Sequence, residues 1–250
     1  MEEGLVVSES EGGWCLGDWV YLESGKLPEP FVNTALFVRA LRLYAEMSGR
    51  DEFSYLEEIS LAAVKREYEA LRHIGAARVW AAYIGIDSAA AVNEYYSALG
   101  KFDTGFLATD PLVEILFSGG YADTAHKLLS STETGSFLEM KRFGATTLFE
   151  AWGCRGSGSH PMFGACTRSL FEGILGIRQE KGSYGYEKIS ISPSLPGDMN
   201  YARGSILTPK GRISVSLWRE GGTVFASATV PREITLAPSD TTARLSITRQ

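Results

Sequence analysis

The sequence predicts a mainly α fold followed by a C-terminal all-β domain, and three observations carry that prediction. Up to about Ile177, apolar residues recur at three- and four-residue spacings between short, Gly-containing breaks. From Arg178 onward, short runs rich in Ile, Val, Ser and Thr alternate with period two. Turn signals such as PGD, PKG and EGG separate those runs. The expected division is therefore 1–177 helical and 178–250 β, with the boundary near the Gly- and Tyr-rich stretch KGSYGYE.

EPFVNTALFVRALRLYAEMSG opens with Pro30, which the first turn of a helix tolerates, and stops at Gly49. Within it Leu36, Ala40, Leu43 and Met47 recur at helical spacing. FSYLEEISLAAVKREYEALRHIG repeats the form, with Leu56, Ile59, Ala63 and Tyr68 expected to face inward. Shorter helical segments follow in ARVWAAYIGI, SAAAVNEYYSALG, DPLVEILFSGG and YADTAHKLLSS, and a last one is expected in PMFGACTRSLFEGILGI. Helical faces joined by short loops describe antiparallel helical hairpins. Beyond them KISISPS, GSILTP, RISVSLWRE, TVFASATVP and TARLSIT read as strands, with RISVSLW and TVFASATV forming a hairpin across EGG. An antiparallel sandwich is the expected β architecture.

A chain of 250 residues, 44% hydrophobic and 22% charged, buries a substantial core. Its net charge of -6 and scattered Lys and Arg argue against a nucleic-acid partner. An uncharged or sugar-like ligand suits that charge better. Cys15, Cys154 and Cys166 form no CxxC pair, so neither structural zinc nor a disulfide framework is expected. No apolar run is long enough for a membrane span. The start MEEGLVVSESEGG lacks the basic flank and apolar core of a signal peptide, which favours the cytoplasm if it is the true N-terminus.

Glu150 stands out in GATTLFEAW, a stretch with almost no other charge. Phe149 and Trp152 beside it would desolvate a carboxylate and raise its pKa, which suits acid–base catalysis. The alternative is a solvated surface Glu. His160 precedes Pro161 at a loop-to-helix junction, where free backbone N–H groups often border a site. A capping or exposed histidine is the competing reading. In GGWCLGDWVYL, Asp18 sits between Gly17 and Trp19, with Trp14 nearby. Aromatic faces beside a carboxylate hold carbohydrate, whereas the same pattern also describes a Trp-rich plug at the end of a helical domain. In FDTGFLATDP, Asp110 before Pro111 reads as a helix N-cap and Asp103 as a turn residue. No GxSxG elbow, GxxxxGK[ST] loop or dinucleotide fingerprint is present.

GDW at 17–19, TGFLATDPL at 104–112, SFLEMKRFGATTLFEAW at 136–152 and SHPMFGACTRSLFEGILGI at 159–177 together resemble the C-terminal part of bacterial α-L-rhamnosidases, glycoside hydrolase family 78. The β tail from GYEKISISPSLP to GRISVSLW extends the resemblance over nearly the whole chain. It implies part of an (α/α)6 six-hairpin barrel followed by a β-sandwich, and inverting hydrolysis of terminal α-L-rhamnosides without metal or organic cofactor. Inversion needs an acid for the leaving oxygen and a base for water, about 6.5–9.5 Å apart. On this resemblance Glu150 takes the general-base position and His160 a sugar-binding one. Trp19 and Asp18 lie in a pocket-lining segment, and Trp152 joins them as an aromatic candidate for the sugar.

Phe149 and Phe137 stand where the family often has Trp. The family's acidic segment, with its general acid, lies upstream of GDW and has no counterpart in residues 1–13. About half of a twelve-helix barrel is expected, so the isolated chain should be a poor catalyst. A complementary N-terminal half or a homo-oligomer would cover the open flank. Two other readings compete: a non-catalytic carbohydrate-binding remnant, and a structural helical module in which Glu150 is merely solvated.

Overall fold

In the computed structural model, residues 1–8 and 15–250 are described. They form two compact units: Met1–Gly119 with Lys127–Cys166, and Gly120–His126 with Thr167–Gln250. A helical region is followed by a β-rich C-terminal region, as the two sequence textures predict.

The first unit is built from α1 (Glu29–Ser48), α2 (Ser54–Leu71), α3 (Gly75–Tyr83), α4 (Ala89–Leu99), α5 (Phe106–Ser118) and α7 (Phe137–Arg142). Helix α6 (Ala122–Leu129) is where the chain passes between the units. α1 packs on α2, and α3 on both α4 and α5. The end signals read from the sequence hold at atomic detail. Pro30 lies in the first turn of α1, and Gly49 ends it at φ +68°, a left-handed conformation that glycine adopts at little steric cost. Ser88 caps α4 by accepting the Ala91 N–H at 3.2 Å.

Which stripe of α1 faces inward differs from the sequence pattern. Phe31, Val32, Ala35, Val38 and Leu41 are buried, whereas Ala40, Leu43 and Met47 are exposed. α1 carries two apolar stripes, and periodicity alone does not choose between them. On α2, Ala63 and Tyr68 are buried as expected, with Leu56 and Ile59 half-buried.

Two helical boundaries also move. α5 starts at Phe106, so Asp110 and the buried Pro111 lie inside it rather than at its N-cap. Helix α7 adds a turn before GATTLFEAW, capped by Ser136, which accepts the Glu139 N–H at 3.3 Å. The Ser136-x-x-Glu139 spacing is a capping signature that marks this helix in the sequence. The last helical stretch is not one regular helix: a 3-10 segment, Pro161–Cys166, leads into α8 (Thr167–Ser169) and a π turn, Leu170–Ile174.

The second unit contains two sheets. One has the order β1 (Ile177–Gln179), β2 (Lys188–Ile191) and β6 (Thr235–Leu236). The other runs β3 (Tyr201–Thr208), β4 (Gly211–Glu220), β5 (Thr223–Val230) and β7 (Arg244–Arg249). The β4–β5 hairpin turns at Gly221 and Gly222, both at positive φ. Pairing is mainly antiparallel, but each sheet adds one parallel pair, β2 with β6 and β5 with β7. Alternate residues supply the core: Ile189, Ile191, Ile213, Val215, Leu217 and Val230 are buried.

Candidate active site

After α7 the chain turns at Gly144 (φ +81°) and runs out and back as a long hairpin-like loop. Thr147 Oγ1 donates to the Gly158 carbonyl, and the His160 N–H donates to the Leu148 carbonyl at 2.8 Å. The Glu150 N–H donates to Ser157 O at 2.9 Å, and the Ala151 N–H to Arg155 O at 3.2 Å. Gly153, Cys154 and Gly156 make the tip, all at positive φ. Glu150 is thus on a pinned loop, not on a helix.

Its carboxylate is held as well. Oε2 accepts the Ser157 N–H at 2.9 Å, and among the described residues Oε1 has no hydrogen-bond partner. Gly156 makes room for this, because a Cβ there would stand 2.8 Å from Oε2. A half-buried carboxylate with one oxygen oriented by the backbone and one left over can accept a proton from a third party.

Beneath the loop lies an aromatic cluster. Trp152, 1% exposed, stacks on Phe102 at 5.5 Å and sits 4.0 Å from Phe163, with Phe137 edge-on at 5.4 Å. Its Nε1–H donates to the Thr104 carbonyl at 2.6 Å. Trp152, expected as a sugar contact, is instead the anchor that fixes the loop to the core.

Asp18 is turned inward too. At 3% exposed, it accepts the N–H groups of Gly105 (2.8 Å), Leu107 (3.0 Å) and Ala108 (3.2 Å), and so caps α5 from a distant part of the chain. Burial raises its pKa to about 7, against the pull of those three N–H groups. Asp18, expected in a pocket-lining segment, is thus engaged as the N-terminal cap of α5. Asp103, expected in a turn, is fully buried and accepts from Tyr96 (2.8 Å) and Tyr95 (3.1 Å), and burial raises its pKa.

Trp19 is 44% exposed and borders a cavity of about 360 Å³ with Leu16, Val20 and Glu29. Its carbonyl accepts the Phe106 N–H at 3.2 Å. The Phe106 ring lies 5.6 Å from the His160 ring, whose buried Nδ1 has no hydrogen-bond partner among the described residues. Phe106 thus links Trp19 to His160, and the Leu148–His160 bond continues to the Glu150 loop. Sequence reading missed Phe106 as the link; its place at the start of α5 became visible only with the correct helix boundary. Trp14 lies outside the described residues. Among the described residues no cluster of three His, Cys, Asp or Glu could hold a metal ion, and no helix is long and apolar enough to cross a membrane.

Residues 86–174, which contain the pinned loop and the aromatic cluster, match the family described as the bacterial alpha-L-rhamnosidase 6 hairpin glycosidase domain. Residues 176–249 match the bacterial alpha-L-rhamnosidase C-terminal domain. Over these residues the chain matches two domains of the bacterial α-L-rhamnosidases. An alpha-L-rhamnosidase of Alteromonas sp. (strain LOR) is 34% identical over 142 residues, covering 52% of this chain and 15% of that protein. One from Streptomyces avermitilis is 25% identical over 248 residues, 88% of this chain and 24% of the relative. The crystal structure of Streptomyces avermitilis alpha-L-rhamnosidase complexed with L-rhamnose superposes with a TM-score of 0.81 at 22% identity, over 94% of this chain and 25% of that one. An Aspergillus terreus structure gives a TM-score of 0.69 at 18% identity, over 86% of this chain and 30% of the other. These likenesses place the fold among rhamnosidase structures. The chain spans only about a sixth to a quarter of the length of these bacterial α-L-rhamnosidase relatives.

Proposed function

We propose that this rhamnosidase-like glycoside hydrolase module supplies the base side of an inverting α-L-rhamnosidase site. Glu150 takes a proton from the water that attacks the anomeric carbon, while His160 and Trp19 contact the sugar. The observation that carries this reading is the Glu150 carboxylate, held by the Ser157 N–H through Oε2 with Oε1 left over. A general base needs that combination of fixed position and an open lone pair. The relatives named as alpha-L-rhamnosidases support rhamnosides as substrates.

Inversion also requires a general acid across the scissile bond. Three buried acids of the first unit are already committed: Asp18 to the α5 N-terminus, Asp103 to tyrosine hydroxyls, and Glu139 to Thr134 Oγ1 (2.9 Å) and the Gly135 N–H (3.1 Å). With these three committed, we place the acid where the family resemblance implies it, in a barrel segment upstream of GDW or in a partner chain. Exposed Leu43, Met47, Phe53 and Tyr55 on α1, α2 and their connection support a covering element there. On this reading the chain alone is weakly active or inactive.

The test is hydrolysis of an aryl α-L-rhamnoside by the chain alone, and by the chain joined to the preceding barrel half of a relative. Turnover only in the joined form, abolished by Glu150→Gln with folding intact, supports the proposal. Robust turnover by the isolated chain contradicts the assignment of the acid elsewhere. The same commitment of acids favours a second reading, a non-catalytic carbohydrate-binding remnant, which predicts no turnover in either form.

A further inference from the structure

The four-stranded sheet has an outer face that the core does not use. Its register lines up Tyr201, Trp218, Phe225 and Arg244 in one row across all four strands. The next row is Arg203, Ser216, Ser227 and Ser246, and the one after is Ser205, Ser214, Thr229 and Thr248. Inward neighbours such as Val215, Leu217, Ala226 and Ala228 are buried, whereas these rows are part-exposed or exposed even on the two central strands. Among the described residues of this unit, the rows keep part of their surface open.

Its chemistry is specific. Trp218 and Phe225 stack at 5.8 Å and 14°, the Arg244 guanidinium lies 5.6 Å over the Phe225 ring, and Tyr201 is 52% exposed. Cross-strand aromatic pairs stabilise a sheet, but that role requires neither two adjoining rows of hydroxyls nor an open tyrosine. Arg203, Arg212 and Arg244 stand on this face against one acid, Glu220, although the chain as a whole carries -6. None of the three arginines forms an ion pair among the described residues, and Arg212 donates to Ser205 Oγ at 2.9 Å. Unpaired guanidinium groups favour carboxylate or sulfate oxygens, which they bind in a bidentate fashion. Aromatic rings cover the C–H face of a sugar, and hydroxyl rows exchange hydrogen bonds with sugar hydroxyls.

We infer that the outer face of the β3–β4–β5–β7 sheet is a binding surface for an anionic glycan, a saccharide chain bearing carboxylates or sulfate esters. Binding there does not depend on Glu150 or on the proposed function of its loop.

The test is native affinity electrophoresis of the full chain through gels containing polygalacturonate, dextran sulfate or neutral dextran. Retardation in an acidic gel and none in dextran is expected, and the first two gels separate carboxylate from sulfate recognition. Arg203→Gln with Arg244→Gln, and separately Tyr201→Ala, should each weaken binding about tenfold with the thermal midpoint retained. Arg50→Gln, on the helical unit, and Glu150→Gln should leave binding unchanged. Free migration in both acidic gels, equal retardation in neutral dextran, or undiminished binding by the sheet variants would overturn the inference. Tighter binding of a single-stranded oligonucleotide than of either acidic glycan would do the same.

Discussion

Ser157 grips Glu150 twice: its carbonyl accepts the Glu150 N–H at 2.9 Å, and its own N–H donates to Glu150 Oε2 at 2.9 Å. One residue across a tight loop thereby sets both the backbone and the carboxylate of the candidate base. The arrangement depends on Gly156, next to Ser157 in the chain, which sits at φ +75° with the carboxylate close by. Four predictions follow from contacts of this kind.

Gly156→Ala puts a methyl group 2.8 Å from Oε2 and strains a left-handed backbone position. The carboxylate should shift by a fraction of an ångström to an ångström. Misplacement on that scale costs roughly 10²-fold in rate. In the joined enzyme kcat should fall by about that factor while KM changes little, measured on an aryl α-L-rhamnoside. An unchanged kcat would remove Glu150 from the reaction.

Trp152→Ala should destabilise the chain by about 3–5 kcal/mol, because a fully buried indole leaves a cavity among Phe102, Phe137 and Phe163. Urea midpoints measure this. Trp152→Phe keeps most of the packing and loses only the bond to Thr104 O, so it should cost less and leave sugar affinity intact. Lost affinity with full stability would restore Trp152 as a ligand contact.

Asp18 makes stability depend on pH. Its pKa is about 7 in the folded chain against 3.8 as the reference value, so between those limits the native state holds more protons than the unfolded one. Stability from this group is therefore highest at the acidic end and declines as pH rises from about 4 to about 7. In Asp18→Asn, which keeps an acceptor for the α5 N–H groups, that decline should be absent. Denaturant midpoints for both proteins at several pH values decide it; parallel curves would show that Asp18 is ionised throughout.

Tyr96→Phe removes the 2.8 Å donor to the fully buried Asp103 without changing shape. The carboxylate then keeps Tyr95 and a longer contact from Ser24. A loss of about 1–3 kcal/mol is expected for a buried acceptor deprived of a partner, read from thermal or urea unfolding. No loss would mean that Asp103 is protonated or solvated.

Local pattern carried much of the fold. Pro30 and Gly49 bound α1, and the runs RISVSLW and TVFASATV became the β4–β5 hairpin. Those features depend on residues a few positions apart, where backbone preference and periodicity act directly. The inward stripe of α1 was not legible, because Leu43 and Met47 are as apolar as Val38 and Leu41 and only the neighbouring helices choose between them. The start of α5 was misplaced because its capping carboxylate, Asp18, comes from 87 residues away.

By itself the sequence determined the helical and β regions, the family resemblance, and Glu150 as an acid in apolar surroundings. Only the tertiary structure decided what each candidate does. It turned Asp18 and Trp152 inward, as cap and anchor, and left Trp19 half exposed. It also gave Glu150 its hold from Ser157. Residue type and spacing specify which groups can do chemistry. Burial and hydrogen bonding between distant segments determine which of them are consumed in building the fold and which remain free to meet a ligand.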